Sequence, residues 1–483
     1  MGLLDIFKRK KNKRGGRRNY DAAGSGRLLS DWQSVFGAND SSISYSLEVL
    51  RGRSRDLFRN NDYAKKYGEM VKTNVIGAKG IVMQSKAKDQ TGRFDKLDNQ
   101  LVESAWKKWG NKKNCSITTS LSWIDLQRVA IETVARDGEV LIRIIKGADN
   151  PFGFALQLIE SDYLRQNYNV QQLDNGNKVV MGVELNDWGA PMAYHLGGSS
   201  EDASVGTHIS RIPADEMIHL FVSNRPGQIR GVPWLHSAMT RLHQIGKYEE
   251  AEVIAARIGA CKMGFFKPGD DGDIYVGVDT DETTGATITE ATPGGFETLP
   301  QGMDFEAFDP QHPSGNFAPF IKSSLRGVAS GLNVSYNSLA SDLEGVNFSS
   351  IRSGVLEERQ NWRVIQKWMI DHFHQEVYTA WLPYAILNGQ LGTIPQQRIE
   401  KFANPNWQPR GWEWVDPLKD AKANLEELKM GTKSRADILA DKGKDIEEVF
   451  DQLREENELA KSVGIDINAV DFIEEIDVNE QDD

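Results

Sequence analysis

Cysteine is almost absent. Only Cys115 and Cys261 occur in 483 residues, far apart, which excludes a disulfide framework and suits a reducing compartment. Long apolar runs are missing too: the longest cover only a few residues against the ~20 that a membrane-crossing helix needs. Residues 1–7, MGLLDIF, run into charge instead of an apolar core and cleavage site, so no secretory signal is expected, and Ile6 stands where a myristoylation signal wants Ser or Thr. Common catalytic signatures are lacking as well. There is no GxxxxGK[ST] loop for nucleotide phosphates, no HExxH or CxxC for a metal, and no GxSxG elbow to present a nucleophilic serine. His372 and His374 are two apart on a helix and point to different faces, while His236 and His243 share a face without a third ligand. The acidic pairs Glu249/Glu250 and Glu357/Glu358 are adjacent, so they diverge on a helix and read as solvated faces or inter-subunit salt-bridge partners, not as an acid/base dyad. No enzyme, catalytic residue, metal site or cofactor is expected.

What is present begins with charge, which is polarised along the chain. The net charge of −12 hides a basic arm, Lys8, Arg9, Lys10, Lys11, Lys13, Arg14, Arg17 and Arg18, and an acidic end, where residues 445–483 carry fifteen acids against Arg454 and Lys461. Residues 1–444 therefore sum to +1, a nearly neutral body. Such charge blocks are usually solvated, although a basic arm can bind nucleic acid.

Periodicity then organises the chain. Residues 1–40 are Gly-, Ser- and Arg-rich and aperiodic. A helical pattern runs from Ser46 to Val75 through Leu47, Leu50, Leu57, Tyr63, Tyr67 and Val71, followed by a strand-like IVMQS after Gly77 and Gly80. Residues 94–109 repeat the helical pattern. Ser122 is a plausible N-cap with Asp125 in the first turn, opening a helix from Trp123 to about Asp137 that is expected to bury Leu126, Val129, Ala130 and Val134 before Gly138 ends it. VLIRII at 140–145 is a strand. Residues 146–225 hold short β-like runs separated by turn signals. Gly231 and Pro233 then start a helical stretch to about Lys262, on the order of 45 Å long, with Leu235, Met239, Leu242, Ile245, Val253, Ile254 and Ile258 on its apolar side. Residues 264–320 read as irregular, and helices are expected at 319–331, 348–387, 417–429 and 434–462.

The junction LASDLEGVNFSSIRSGVLEERQNWR at 339–363 joins a punctuated loop to a long helix. Gly345 and Asn347 tolerate a tight loop, and Ser349 or Ser350 can cap the helix, whose apolar side runs through Ile351, Val355, Leu356, Trp362, Ile365 and Met369. Phe348 among small polar residues either tucks into its own core or is used by something outside it.

That junction resembles the loop-to-helix stretch of phage portal proteins of the lambda family. RNNDYAKKYGEMVKTNVIGAKGI at 59–81, ISRIPADEMIHLFVSNRPGQIRGVPWLHSAMTRL at 209–242, GGFETLPQGMDFEAFDPQHP at 294–313 and RGWEWVDPLKD at 410–420 match the family in the same order, and the resemblance covers most of residues 45–445. It implies an α+β portal fold: a flexible arm at 1–40, wing at 41–120, first stem helix and following strand at 121–145, a β-rich clip at 146–225, second stem helix at 226–262, wing again at 263–410, crown helices at 411–462 and an acidic tail at 463–483. It also implies a ring of usually twelve subunits at one capsid vertex. Double-stranded DNA would pass through it without sequence preference, driven by a terminase whose large subunit is a partner along with head-completion and neck proteins and the major capsid protein. Asp342, Glu344, Gly345, Val346, Asn347, Phe348 and Ser349 would form the channel loop, with Asp342 and Glu344 repelling phosphates. The virion, and the host cytoplasm during assembly, would be its location. A second reading is a non-ring nucleic-acid scaffold acting through Lys8–Arg18.

Overall fold

The structure is a computed structural model that describes residues 39–463 apart from 90, 198–208, 261–263, 269–278, 281–286, 289–302, 308–314, 346, 393 and 413–416. The basic arm Lys8–Arg18, Cys261 and nearly all of the acidic tail lie outside the described residues.

The first long helical pattern is two helices, α1 (Asn39–Asn60) and α2 (Asp62–Val71), because Asn61 leaves the helical region and its Oδ1 accepts from Ala64 N at 3.0 Å. An Asn side chain that satisfies an orphan N–H makes a new N-terminus in the middle of an otherwise continuous apolar stripe. A π turn at Lys72–Ile76 ends at Gly77, whose φ of +71° favours glycine. Strand β1 (Val82–Gln84) follows, then α3 (Lys96–Trp109), a single-turn α4 (Lys112–Cys115) and α5 (Trp123–Asp137).

The expected start of α5 is present as a reciprocal capping box: Ser122 Oγ accepts from Asp125 N, and Asp125 accepts from Ser122 N. Leu126, Ala130 and Val134 are buried as expected, but Val129 is not, since it sits on the outer edge of the stripe. Gly138 ends the helix at φ +92°, and a Cβ there would lie 2.5 Å from the Val232 carbonyl carbon. That close backbone approach brings the segment after α5 against the segment that precedes the next long helix.

Strand β2 (Glu139–Lys146) is the centre of a three-stranded antiparallel sheet, flanked by β3 (Phe154–Ile159) and, in chain order, β8 (Met217–Phe221). Between them β4 (Lys178–Val180), β5 (Val183–Leu185), β6 (Pro191–Leu196) and β7 (Ser210–Pro213) form a four-stranded meander. Leu141, Leu164, Val183, Leu185, Tyr194, Ile212 and Met217 make a small core where the two sheets meet.

After Gly231 the chain does not enter an α-helix at once. Trp234–Ser237 is a 3-10 turn, and α6 runs from Met239 to Ala260, 22 residues or roughly 33 Å, shorter than expected. Gly231 is pinned against Gly138, and Pro233 has an extended ψ of 134°, so the helix cannot start there. Leu235, Met239, Leu242 and Ile245 are buried, whereas Val253 and Ile254 are 67% and 50% exposed.

The stretch expected to be irregular contains paired strands: β9 (Gly264–Pro268) with β12 (Met303–Ala307), and β10 (Asp279–Thr280) with β11 (Thr287–Ile288). Met303, Phe305 and Ala307 alternate with Asp304 and Glu306, a period-two pattern hidden between strong turn signals. Helix α7 (Phe317–Gly331), the short α8 (Tyr336–Ala340) and α9 (Phe348–Met369) follow, and a π turn at Ile370–His374 leads into α10 (Gln375–Leu387). Strand β13 (Asn406–Gln408) pairs with β1, which joins distant parts of the chain. At the C-terminal end stand α11 (Pro417–Met430), α12 (Arg435–Asp441) and α13 (Ile446–Ser462). The single helix expected over 434–462 breaks because Gly443 takes φ +68° and Asp445 Oδ1 accepts from Glu447 N at 2.7 Å, starting a new helix.

The main core is aromatic. Trp106 lies 4.7 Å from Trp109 and 5.0 Å from Trp381 between ring centres, and Trp123, Phe373, His374, Tyr378 and Trp407 complete the cluster around α3, α5 and α10. Cys115 is buried beside it, and burial pushes its thiol up to about 12.

Candidate functional site

The described residues of 341–347 link α8 to α9 and, Asp342 apart, are exposed. Ser335 caps α8 by accepting from Ser338 N, and Ser341 ends it at φ +53°, a left-handed position. Asp342 then fixes the turn: Oδ1 accepts from Glu344 N at 2.9 Å, and Oδ2 accepts from Tyr336 Oη at 2.7 Å and pairs with Lys322 Nζ at 2.9 Å. The Tyr336 hydrogen bond, then Lys322, hold its carboxyl down at about 2. The charge is therefore offset by Lys322 of the same chain, and Asp342 serves as the loop's anchor. Gly345 follows at φ +65° in open space. Helix α9 begins at Phe348, so Ser349 and Ser350 fall in its first turn instead of preceding it, and Asn347 O accepts the first helical bond from Ile351 N.

Glu344, Gly345 and Asn347 are exposed; Val346 and the side chains of Phe348 and Ser349 lie outside the described residues. Leu343, absent from the expected set, is 66% exposed. The signal was an apolar residue between two acids in DLEG, on a loop where burial was out of reach.

The loop rests on a fixed base. Glu358, expected on a solvated face, is buried and accepts from Ser335 N at 3.1 Å and Trp362 Nε1 at 3.0 Å, which ties α9 to the start of α8. Further along α9, Gln366 Nε2 donates to Asn74 O at 3.0 Å and Arg410 O at 3.1 Å. Arg352 pairs with Asp420 of α11 at 2.7 Å. Both ends of α9 are thus bolted to other elements, so the loop is held at a set place on a rigid helix.

A second constellation escaped sequence reasoning. Glu139, fully buried at the start of β2, accepts from Arg230 Nε at 2.9 Å, Arg51 Nη2 at 2.9 Å, His219 Nε2 at 3.0 Å and Gly231 N at 2.8 Å. Burial alone would raise its pKa, but the Arg230 charge, His219 and Arg51 outweigh that and hold it well below the usual carboxylate range. Next to it, Asp137 accepts from Arg55 and Arg136, and Asp162 bridges Arg51 and Arg55. This network joins α1, the end of α5, the three-stranded sheet and the segment before α6 at one point. It is a structural joint in which Glu139, Asp137 and Asp162 are each paired with arginine. Among the described residues no group of three or more His, Cys, Asp or Glu side chains could hold a metal ion, and no helix is long and apolar enough to cross a membrane.

The family model for phage portal proteins of the lambda family matches residues 25–366. The chain belongs to that family. A probable portal protein of Halomonas phage phiHAP-1 is 38% identical over 463 residues, covering 93% of this chain and 88% of the relative. Portal protein B of Escherichia phage lambda is 22% identical over 482 residues, covering 92% and 90%. Among solved structures, a chain of the neck of an empty gene transfer agent particle aligns over 85% of this chain and 96% of its own, at 15% identity and a TM-score of 0.42. The α+β architecture described above, mostly helical with small sheets between α5 and α6, is the form that a portal protein takes in this chain.

Proposed function

We propose that copies of this chain, twelve in the usual portal arrangement, close into a ring at one capsid vertex through which double-stranded DNA is packaged by a separate terminase and later ejected. Family membership across residues 25–366 carries the reading. The far half of α6 supports it: a helix whose first half is packed and whose second half shows Val253 and Ile254 to solvent is suited to packing against a copy of itself.

In that arrangement α5 and α6 stand as stem helices, with the two sheets between them as the clip that meets the terminase and afterwards the neck proteins. Residues 41–120 and 263–410 form the wing against the major capsid protein, and α11–α13 form the crown. The loop at 342–349 projects towards the DNA from the rigid α9. Glu344 repels phosphates, Leu343, Val346, Asn347 and Phe348 offer the duplex weak contacts, and Asp342 and Gly345 hold the turn. A conduit must not hold DNA tightly: each phosphate neutralised by Lys or Arg adds affinity that resists sliding, so such contacts must be weak enough to break, and base-edge contacts would add sequence preference. A nearly neutral body between oppositely charged ends meets that demand. The chain performs no catalytic step in this scheme. The virion is its final location, reached by assembly in the host cytoplasm.

Negative-stain electron microscopy of the purified chain tests this. Rings with a central hole are expected, and rings carrying a loop shortened over 344–348 should assemble yet fill or retain DNA poorly. Isolated small particles at every concentration would overturn the ring, and unchanged filling and retention would remove the loop from the mechanism.

A further inference from the structure

Three guanidiniums gather on one indole where α9 passes the segment leading into α11. Arg359 and Arg363, one turn apart on α9, and Arg410 have their guanidinium carbons 5.9, 5.9 and 5.7 Å from the centre of the Trp412 ring. No two of them can be more than about 12 Å apart, close enough for like charges to repel appreciably where solvent is partly excluded. The platform is built, not incidental. Trp412 Nε1 donates to Asn74 Oδ1 at 3.1 Å, while Arg410 Nη1 donates to Thr73 O at 2.6 Å and to the same Asn74 oxygen at 3.1 Å. The Arg410 stem lies against Gly77, where a Cβ would come within 2.9 Å of Arg410 Cδ.

The described carboxylates nearby offset the three cations only in part. Asp441 lies 3.5 Å from Arg363 but 2.8 Å from Lys433, Asp420 takes Arg352 at 2.7 Å, and Glu358 is buried on Ser335 and Trp362. Arg359 makes no hydrogen bond or ion pair among the described residues; its one specific contact is the indole face. Burial first, then the charges of Arg410 and Arg363, outweigh Asp420 and Glu358 and push the Arg359 pKa below its ordinary value. Arg359 and Arg410 are half-buried and Arg363 is exposed, so the cluster is open to a ligand.

Guanidiniums suit phosphate oxygens because their planar donors bind two at a time. Arg359 is eleven residues beyond Phe348, the first residue of the same helix, a rise of ~17 Å, or about half a turn of B-form DNA. We propose that Arg359, Arg363 and Arg410, arrayed on Trp412, bind backbone phosphates of the duplex in transit, a second DNA contact beyond the loop. The inference rests on the portal reading and names the groups through which that portal holds DNA. Contacts to phosphates alone carry no sequence information and weaken with salt, so they retard the duplex without fixing a register.

The test is fluorescence anisotropy of a short labelled duplex of mixed sequence against the full chain, titrated between about 50 and 200 mM salt, the range in which phosphate binding dominates affinity. Arg359→Gln with Arg363→Gln is compared with wild type; residues 8–18 are present in both, so any affinity from the arm is common to the two. The Gln pair is expected to flatten the dependence of log affinity on log salt by roughly two, about 0.9 for each phosphate no longer neutralised, while Arg359→Lys with Arg363→Lys keeps most of it. Thermal melting separates loss of fold from loss of charge. An unchanged slope in a folded Gln pair overturns the proposal. So does inorganic phosphate at low millimolar concentration that displaces the duplex completely, which would mark a small-anion site. Rings that form with an unchanged slope defeat this inference alone, and absence of rings defeats the portal reading.

Discussion

The joint at Glu139 and the far half of α6 belong to one chain, yet they are finished to different degrees. Around Glu139 four donors from three separate segments converge on a carboxylate with no solvent exposure, and the neighbouring Asp137 is paired twice over. The chain closes this region by itself. Along α6, Leu242 and Ile245 are covered, but two turns later Val253 and Ile254 face outward on a helix that also carries Lys247 and Glu250 as a surface pair. The difference separates what sets the subunit's internal geometry from what a single chain leaves uncovered. The first fixes, within one chain, how the sheets sit against α1, α5 and the segment before α6. The second would be a liability in a monomer and is useful in a ring.

The largest effect is expected where the closed region is broken. Glu139→Ala leaves Arg230, fully buried, with a charge that only carbonyl oxygens oppose, and this should cost about 3–5 kcal/mol in urea unfolding. The pH dependence sharpens the point. A carboxyl whose pKa falls on folding contributes stability above its unfolded pKa and loses it as pH drops through the folded one. Asp137 and Glu139 are both depressed, so their contribution persists at neutral pH and fades only well below pH ~4. A Glu139→Ala protein no less stable than wild type at pH 7 would show that the joint is not what holds the segments together.

Much of this joint was invisible in the sequence, for a physical reason. The capping box at Ser122 and Asp125, the stop at Gly138 and the strands of the β region depend on neighbours within a few positions, and periodicity reports such order well. Arg51 and Arg230 reach Glu139 from 88 and 91 positions away, and ion pairs of that kind have no period. Glu358 failed for a different reason: its acidic neighbour suggested a solvated face, although Trp362 one turn later was a donor in reach. In the loop, Gly345 and Asn347 mark the turn locally, whereas Asp342, read as repelling phosphates, is held by Tyr336 and Lys322, which no local pattern announces. The exposed stretch before α9, which the sequence reads as a loop, is fixed by a left-handed turn at Ser341 and by Gly345.

Within the closed region one weak point remains to sharpen the contrast. His374 packs against Trp123, Phe373 and Trp407 and its Nδ1 lies 3.0 Å from Met369 O, but Nε2 is buried without a partner. Burial pushes its pKa down to about 4. The unfolded chain takes up a proton near pH 6.5 that the folded chain refuses, so stability falls as pH drops from about 6.5 to about 4, by on the order of 3 kcal/mol over the window. His374→Phe removes the orphaned nitrogen. Stability at pH 7 should change by less than about 1.5 kcal/mol, and the loss between pH 6.5 and 4 should largely vanish in chemical denaturation. An identical acid profile in the variant would place the sensitivity elsewhere.

The smallest effect on the isolated subunit is the most telling for the open region. Replacing Val253 and Ile254 together by Ser removes two exposed apolar side chains from the far half of α6, so urea unfolding of the subunit should shift by no more than about 0.5 kcal/mol for each. If a second copy covers that face, the same double variant should need several-fold higher protein concentration to form rings, as seen by sedimentation. The logic runs both ways. A large loss of subunit stability would mean that α6 is already packed along its whole length within one chain, and undiminished ring formation would mean that the copies meet through another surface, with Leu97, Val364 and Leu418 among the other exposed apolar residues. Only the combination of an indifferent subunit and a weakened ring keeps the contrast between a joint completed inside the chain and a face completed by its neighbour.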